Sequence, residues 1–164
     1  MLSIRAFCLL VSLAFSTAPG IALADAIGLA TVFTGQGQRL EIVNGGPFQD
    51  LAIMVDTNEE STGQRWQVMS EGQWVRIRNE AMDNTMCLDV VNGGSPAYMV
   101  QMRPCGNYSG QLWQISTSGE HMRFTTQFLG NRYCLDIVNG GMLDRYAQMR
   151  PCENVSGQLW TLVN

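Results

Sequence analysis

Cys87-Leu88-Asp89-Val90-Val91-Asn92-Gly93-Gly94, followed by Gln111-Leu112-Trp113, is the stretch on which the reading of this chain turns. It returns as Cys134-Leu135-Asp136-Ile137-Val138-Asn139-Gly140-Gly141 and Gln158-Leu159-Trp160. A looser copy precedes both, in Leu40-Glu41-Ile42-Val43-Asn44-Gly45-Gly46 and Gln64-Arg65-Trp66. The three Gln-x-Trp triplets are 47 residues apart in both intervals. A fixed period of this kind marks repeated supersecondary units. Three equivalent units can carry up to three equivalent sites, and differences between copies show which have diverged.

The repeats run about 27–68, 69–115 and 116–164. The second and third align closely, with Met102-Arg103-Pro104-Cys105 returning as Met149-Arg150-Pro151-Cys152. The first diverges: it sets Arg39 and Asn58 at the cysteine positions and carries one extra residue before its Gln-x-Trp. Within a repeat the pattern is four short strands. Trp74–Arg78 alternates with period two, as a half-buried strand does. An Asp83-Asn84 turn leads to Cys87–Val91, which Asn92-Gly93-Gly94 closes with residues tolerant of positive φ. Tyr98–Met102 and Gln111–Ile115 complete the unit. Twelve strands result, and a closed arrangement leaves few exposed edges. No window of the chain after residue 24 has a convincing helical stripe.

Residues 1–24 read as a secretory signal peptide. Arg5 is the charged region, Ala6–Phe15 the apolar core, and Ala22-Leu23-Ala24 the cleavage site. The apolar run is too short to span a bilayer, and no later segment is long and apolar enough to do so. Residues 25–164 are expected to form one exported domain, secreted or periplasmic. The chain has ten Arg, no Lys and fourteen Asp plus Glu. That balance argues against nucleic acid, whose binding rests on phosphate neutralisation, and against anionic lipid.

Cys8 falls in the signal segment. Four cysteines remain, and they allow three pairings. The repeat selects Cys87–Cys105 and Cys134–Cys152, each 18 apart, with export favouring oxidation. A four-thiolate metal site competes weakly, because no Cys-x-x-Cys is present. No cofactor is expected.

With three Gln-x-Trp triplets, the Cys-Leu-Asp motif and a Gln shortly before Pro-Cys, the chain resembles the ricin B-chain-type lectin domain. The resemblance implies an all-β fold, a β-trefoil built from a six-stranded barrel capped by three hairpins with pseudo-threefold symmetry. It also implies a carbohydrate (glycan) ligand. Asp89 with Gln101, and Asp136 with Gln148, match the family's sugar ligands. A short carboxylate is the best acceptor for two adjacent hydroxyls, and an amide both donates and accepts. The first repeat has Glu41 and, roughly, Met54 there, so its site is expected to be lost or altered. The family places an aromatic before Pro-Cys and an Asn before Gln-x-Trp. This chain has Arg103 and Arg150, and Gly63, Gly110 and Gly157. Asn107 and Asn154 are candidates for the missing amide, and Tyr98, Tyr108, Tyr133 or Tyr146 for a stacking face. The two arginines suggest an anionic group on the ligand.

Bland readings stand beside these. Trp66, Trp113 and Trp160 read as core. Gln111 and Gln158 are counted among the candidate sugar contacts, with satisfaction of backbone groups the competing and favoured role for Gln64, Gln111 and Gln158 alike. Asp89 and Asp136 are equally suited to organising the following turn. The sequons at Asn107 and Asn154 read as turns. The single His, His121, aligns with Trp74, and no catalytic motif is present, so no enzyme is expected. The competing function is a protein-interaction trefoil without sugar binding, such as a lectin-like subunit of a toxin or other secreted assembly.

Overall fold

The structure, a computed structural model, describes residues 26–164 apart from 84 and 94–96. The signal segment, and parts of the turns at 83–84 and 92–94, lie outside the described residues.

Among the described residues twelve strands follow in order: β1 Gly28–Thr31, β2 Gln38–Ile42, β3 Ala52–Asp56, β4 Trp66–Glu71, β5 Trp74–Asn79, β6 Met86–Val90, β7 Val100–Pro104, β8 Trp113–Ser118, β9 His121–Thr126, β10 Tyr133–Ile137, β11 Ala147–Pro151 and β12 Trp160–Val163. Four one-turn 3₁₀ segments lie between them, at Thr62–Gln64, Glu80–Met82, Ser109–Gln111 and Ser156–Gln158. Gln111 therefore sits in a 3₁₀ turn, and the fourth strand of its repeat starts two residues later, at Trp113. The segment Ser-Gly-Gln cannot lie flat as strand, because the Gln side chain is pulled inward to bond the preceding loop.

Six strands close on themselves. β1 pairs β12, β12 pairs β9, β9 pairs β8, β8 pairs β5 and β5 pairs β4. An Ile27–Trp66 bridge then joins the start of β1 to β4 and completes the ring. Closure removes the sheet edges that invite aggregation. The remaining strands form three hairpins, β2–β3, β6–β7 and β10–β11. The chain is a β-trefoil of three four-stranded repeats.

The core is layered in threes. Trp66, Trp113 and Trp160 are fully buried, as are Leu40, Leu88 and Leu135, and Leu29, Ile77 and Phe124. Each indole Nε1 donates to the carbonyl of the leucine in its own repeat: Trp66 to Leu40 at 2.9 Å, Trp113 to Leu88 at 2.8 Å, Trp160 to Leu135 at 3.0 Å. The Trp thus fills the barrel and anchors the hairpin above it. A buried aromatic donor needs such a partner.

The hairpins also join one another. Met102 N donates to Asp50 O, Met149 N to Tyr98 O, and Met54 N to Arg145 O, at 2.8, 2.8 and 2.9 Å. The three accepting residues share a left-handed backbone, with φ of 68°, 64° and 68°. That turn swings each carbonyl out of its own hairpin toward the next. The hairpins are linked cyclically, each giving to one neighbour and taking from the other.

Register corrects two alignments of the divergent repeat. Glu41 faces Ile53, as Asp89 faces Gln101; Met54 instead faces Leu40 and is buried. Thr57, not Asn58, holds the second cysteine's place: its N–H bonds Gly37 O as Cys105 bonds Thr85 O and Cys152 bonds Arg132 O. The extra residue lies later, in the loop before Gln64. Disulfides join Cys87 to Cys105 and Cys134 to Cys152.

Candidate functional site

The carboxylate of Asp89 is held in place by the Gln-x-Trp that follows it. Asp89 projects from β6, and its Oδ1 accepts from Val90 N at 2.8 Å. Gln111 Nε2 donates to Asp89 Oδ2 at 3.3 Å and to Pro104 O at 3.1 Å. Gln111 Oε1 accepts from Gly106 N at 2.9 Å and from the Arg76 guanidinium at 3.0 Å. Arg76 is itself ion-paired to Glu71. Gln111 is therefore fully engaged: it staples the loop after Cys105 and orients the carboxylate, and it has nothing left for a ligand.

The third repeat repeats the plan with less bracing. Asp136 Oδ1 accepts from Ile137 N at 2.8 Å. Gln158 takes Glu153 N at 2.8 Å and gives to Pro151 O at 3.0 Å. It lies close enough to Asp136 to favour the charged form, although the bond its Nε2 makes is to Pro151 O. Arg123, the counterpart of Arg76, reaches only Glu153 O, at 3.0 Å.

Asp89 and Asp136 are 6% and 5% exposed, yet each lines an open recess. That at Asp89 is about 440 Å³, walled by Asn92, Arg103, Asn107, Tyr108 and Phe128. That at Asp136 is about 260 Å³, walled by Phe33, Asn139, Gln148, Arg150 and Glu153. Burial raises both carboxyls above the ordinary aspartate range; bonds from Gln111 and Val90, and from Ile137, pull the other way, as do the charges of Arg103 and Arg150.

Gly110 and Gly157 follow from the same packing. A Cβ on either would overlap Oδ1 of Asp89 or Asp136. No Asn fits there, because the carboxylate already lies against the glycine.

Of the expected site residues, Asp89 with Asn107 and Asp136 with Gln148 come together. Gln101 faces Asp89 across the hairpin but does not wall the recess. Asn154 stays out of its recess. Among the tyrosines only Tyr108 lines one; Tyr98 packs on Phe128 and Tyr133, and Tyr146 on Phe48.

Two kinds of residue escaped the sequence reading. Asn44, Asn92 and Asn139 each line a recess, so the Asn of Asn-Gly-Gly is a wall as well as a turn. Phe128 and Phe33 supply aromatic walls from beyond the repeat that owns the aspartate. Phe128 N bonds Ser109 O, and Phe33 N bonds Ser156 O, which seats both rings equivalently. The signal was present in Thr31-x-Phe33-x-Gly35 and Thr126-x-Phe128-x-Gly130.

The first repeat has a recess of about 310 Å³ at Glu41, Asn44 and Ala81. Ala81 stands where the others have Phe, and Glu41 is bonded to Gln64 at 2.7 Å.

A family model described as the ricin-type beta-trefoil lectin domain matches residues 73–164. Among solved structures, a mosquitocidal holotoxin is similar at 13% identity and TM-score 0.72, over 87% of this chain and 17% of that one. The designed threefold-symmetric protein ThreeFoil matches at 17% identity and TM-score 0.67, over 85% and 98% of the two chains. The earthworm R-type lectin C-half, solved with GalNAc, matches at 15% identity and TM-score 0.59, over 85% and 98%. The chain thus spans a small part of the holotoxin but nearly all of the other two. No curated protein sequence matches it.

Proposed function

The chain belongs to the ricin-type beta-trefoil lectin family, and from that premise we propose that it binds carbohydrate without catalysis, through the recesses of its second and third repeats. The observation that carries this reading is the pair of oriented aspartates, each in an open recess with an amide and an aromatic ring. The carboxylate accepts from two vicinal hydroxyls. Asn92 or Asn139 donates and accepts beside it. Phe128 with Tyr108, or Phe33, covers the apolar face of the sugar ring. A small sugar buries little area and must replace good hydrogen bonds to water, so each site is weak. Two sites on one rigid body raise avidity on a glycan-covered surface. Two disulfides fit an exported protein.

The test is a broad glycan array probed with the oxidised protein and with the Asp89→Ala/Asp136→Ala double variant, folding being followed by circular dichroism. Binding that the double variant loses while folded supports the reading. A folded wild type that binds no glycan, or a double variant that binds as well as wild type, overturns it.

A further inference from the structure

Each aspartate recess contains one arginine, and the surroundings of the two differ. Arg103 pairs with Cys87 in register, one step along the hairpin face from the Asp89–Gln101 pair. Residues related in this diagonal way stand roughly 7–8 Å apart, about the reach of one sugar unit. Arg103 is exposed and lines the recess. The ion pairs among the described residues are Arg65–Glu80, Arg76–Glu71 and Arg145–Asp144, so its guanidinium is uncommitted. The Cys87–Cys105 bridge pins the strand end that carries it.

The third recess puts Arg150 in the same relation to Asp136. Its loop differs, however. Glu153 occupies the place of Gly106, with its backbone N on the Gln-x-Trp glutamine as Gly106 has. A Cβ at Gly106 would strike the Tyr108 ring. Absence of a side chain at 106 therefore makes room for Tyr108, whereas Glu153 is accompanied by the smaller Val155. One recess has arginine and tyrosine; the other has arginine beside a second carboxylate.

Resting on the carbohydrate reading above, we propose that the second-repeat recess selects an acidic sugar, a glycan unit whose carboxylate is taken by Arg103 while its vicinal hydroxyls meet Asp89, and that the third-repeat recess makes no such selection. Guanidinium binds carboxylate through two parallel hydrogen bonds. In the third recess Glu153 lines the same wall as Arg150, and its charge repels a ligand carboxylate. Among the described residues, the first recess has no cation in its wall.

The test uses matched ligands: a uronic acid glycoside against its neutral hexose, and a sialylated glycan against its desialylated form. Isothermal titration in the Asp136→Ala background reports the second recess alone. The acid of at least one pair is expected to bind about ten-fold more tightly. Arg103→Gln brings the ratio to parity, Arg103→Lys keeps part of it, and 1 M salt reduces it. In the Asp89→Ala background the ratio is near one, and Glu153→Gln raises it. Equal affinity for acid and neutral ligands in the Asp136→Ala protein, or a preference that survives Arg103→Gln, overturns the inference and leaves the lectin reading standing. No binding of either ligand by folded protein overturns both.

Discussion

Asp89 and Asp136 are buried carboxylates that the proposed sugar contacts need in charged form. Burial raises the pKa of both, so they take up protons at a pH above the ordinary aspartate value of about 3.9. Glycan binding is expected to fall on acidification with a midpoint above that value, as a titration of affinity against pH will show. Stability has the opposite sign. A carboxyl with a raised folded pKa keeps its proton while the unfolded chain loses it, so its contribution weakens as pH rises through that window. Gly110 gives a second prediction at this scale. Gly110→Ala pushes the new methyl into Asp89 Oδ1 and is expected to cost about 1–3 kcal/mol in denaturant unfolding. It should also abolish binding at the second recess while the third still binds. Both aspartates were legible because the text around them repeats. Phe33 was legible as a repeated residue but not as a wall of this recess: it lines it with Asp136 from more than a hundred residues away in sequence, and only barrel closure brings them together.

The hairpin is the element that presents the site, and the three hairpins are not secured alike. Those of the second and third repeats are cross-linked by disulfides, while β2–β3 has Arg39 and Thr57 in the equivalent places. Removing one bridge as Cys87→Ser/Cys105→Ser is expected to cost about 3 kcal/mol in the chain-entropy account. The melting temperature should fall, and Arg103, next to the bridge, should be less well held. The twelve strands were readable from their alternation and spacing. Their limits were less so, because the Gln of Gln-x-Trp looks like the start of a strand but is drawn into a 3₁₀ turn by its own side chain. Register in the first repeat was obscured by the extra residue. With no cysteine to mark the position, nothing in the sequence says whether that residue enters at Asn58 or in the loop beyond it.

At the scale of the molecule, the cyclic links from Asp50 to Met102, Tyr98 to Met149 and Arg145 to Met54 hold the three hairpins as one cap. The two recesses therefore keep a fixed separation, and avidity is expected to depend on ligand spacing. Barrel closure yields a further prediction. Gly28 lies opposite Val163, so residues 26 and 164 can be joined by a short linker and the chain reopened in the Glu71–Trp74 turn. That permutant is expected to keep the wild-type circular dichroism spectrum, melting temperature within a few degrees, and glycan binding. A collapse in any of these would mean that strand order matters beyond the contacts. The Ile27–Trp66 bridge and the β1–β12 ladder also set a timetable. β1 precedes the other eleven strands in the chain, yet one of its two flanks has no neighbour until Trp160–Val163 is in place. The earliest strand is thus the last to be secured, and refolding will be paced by the meeting of the two ends.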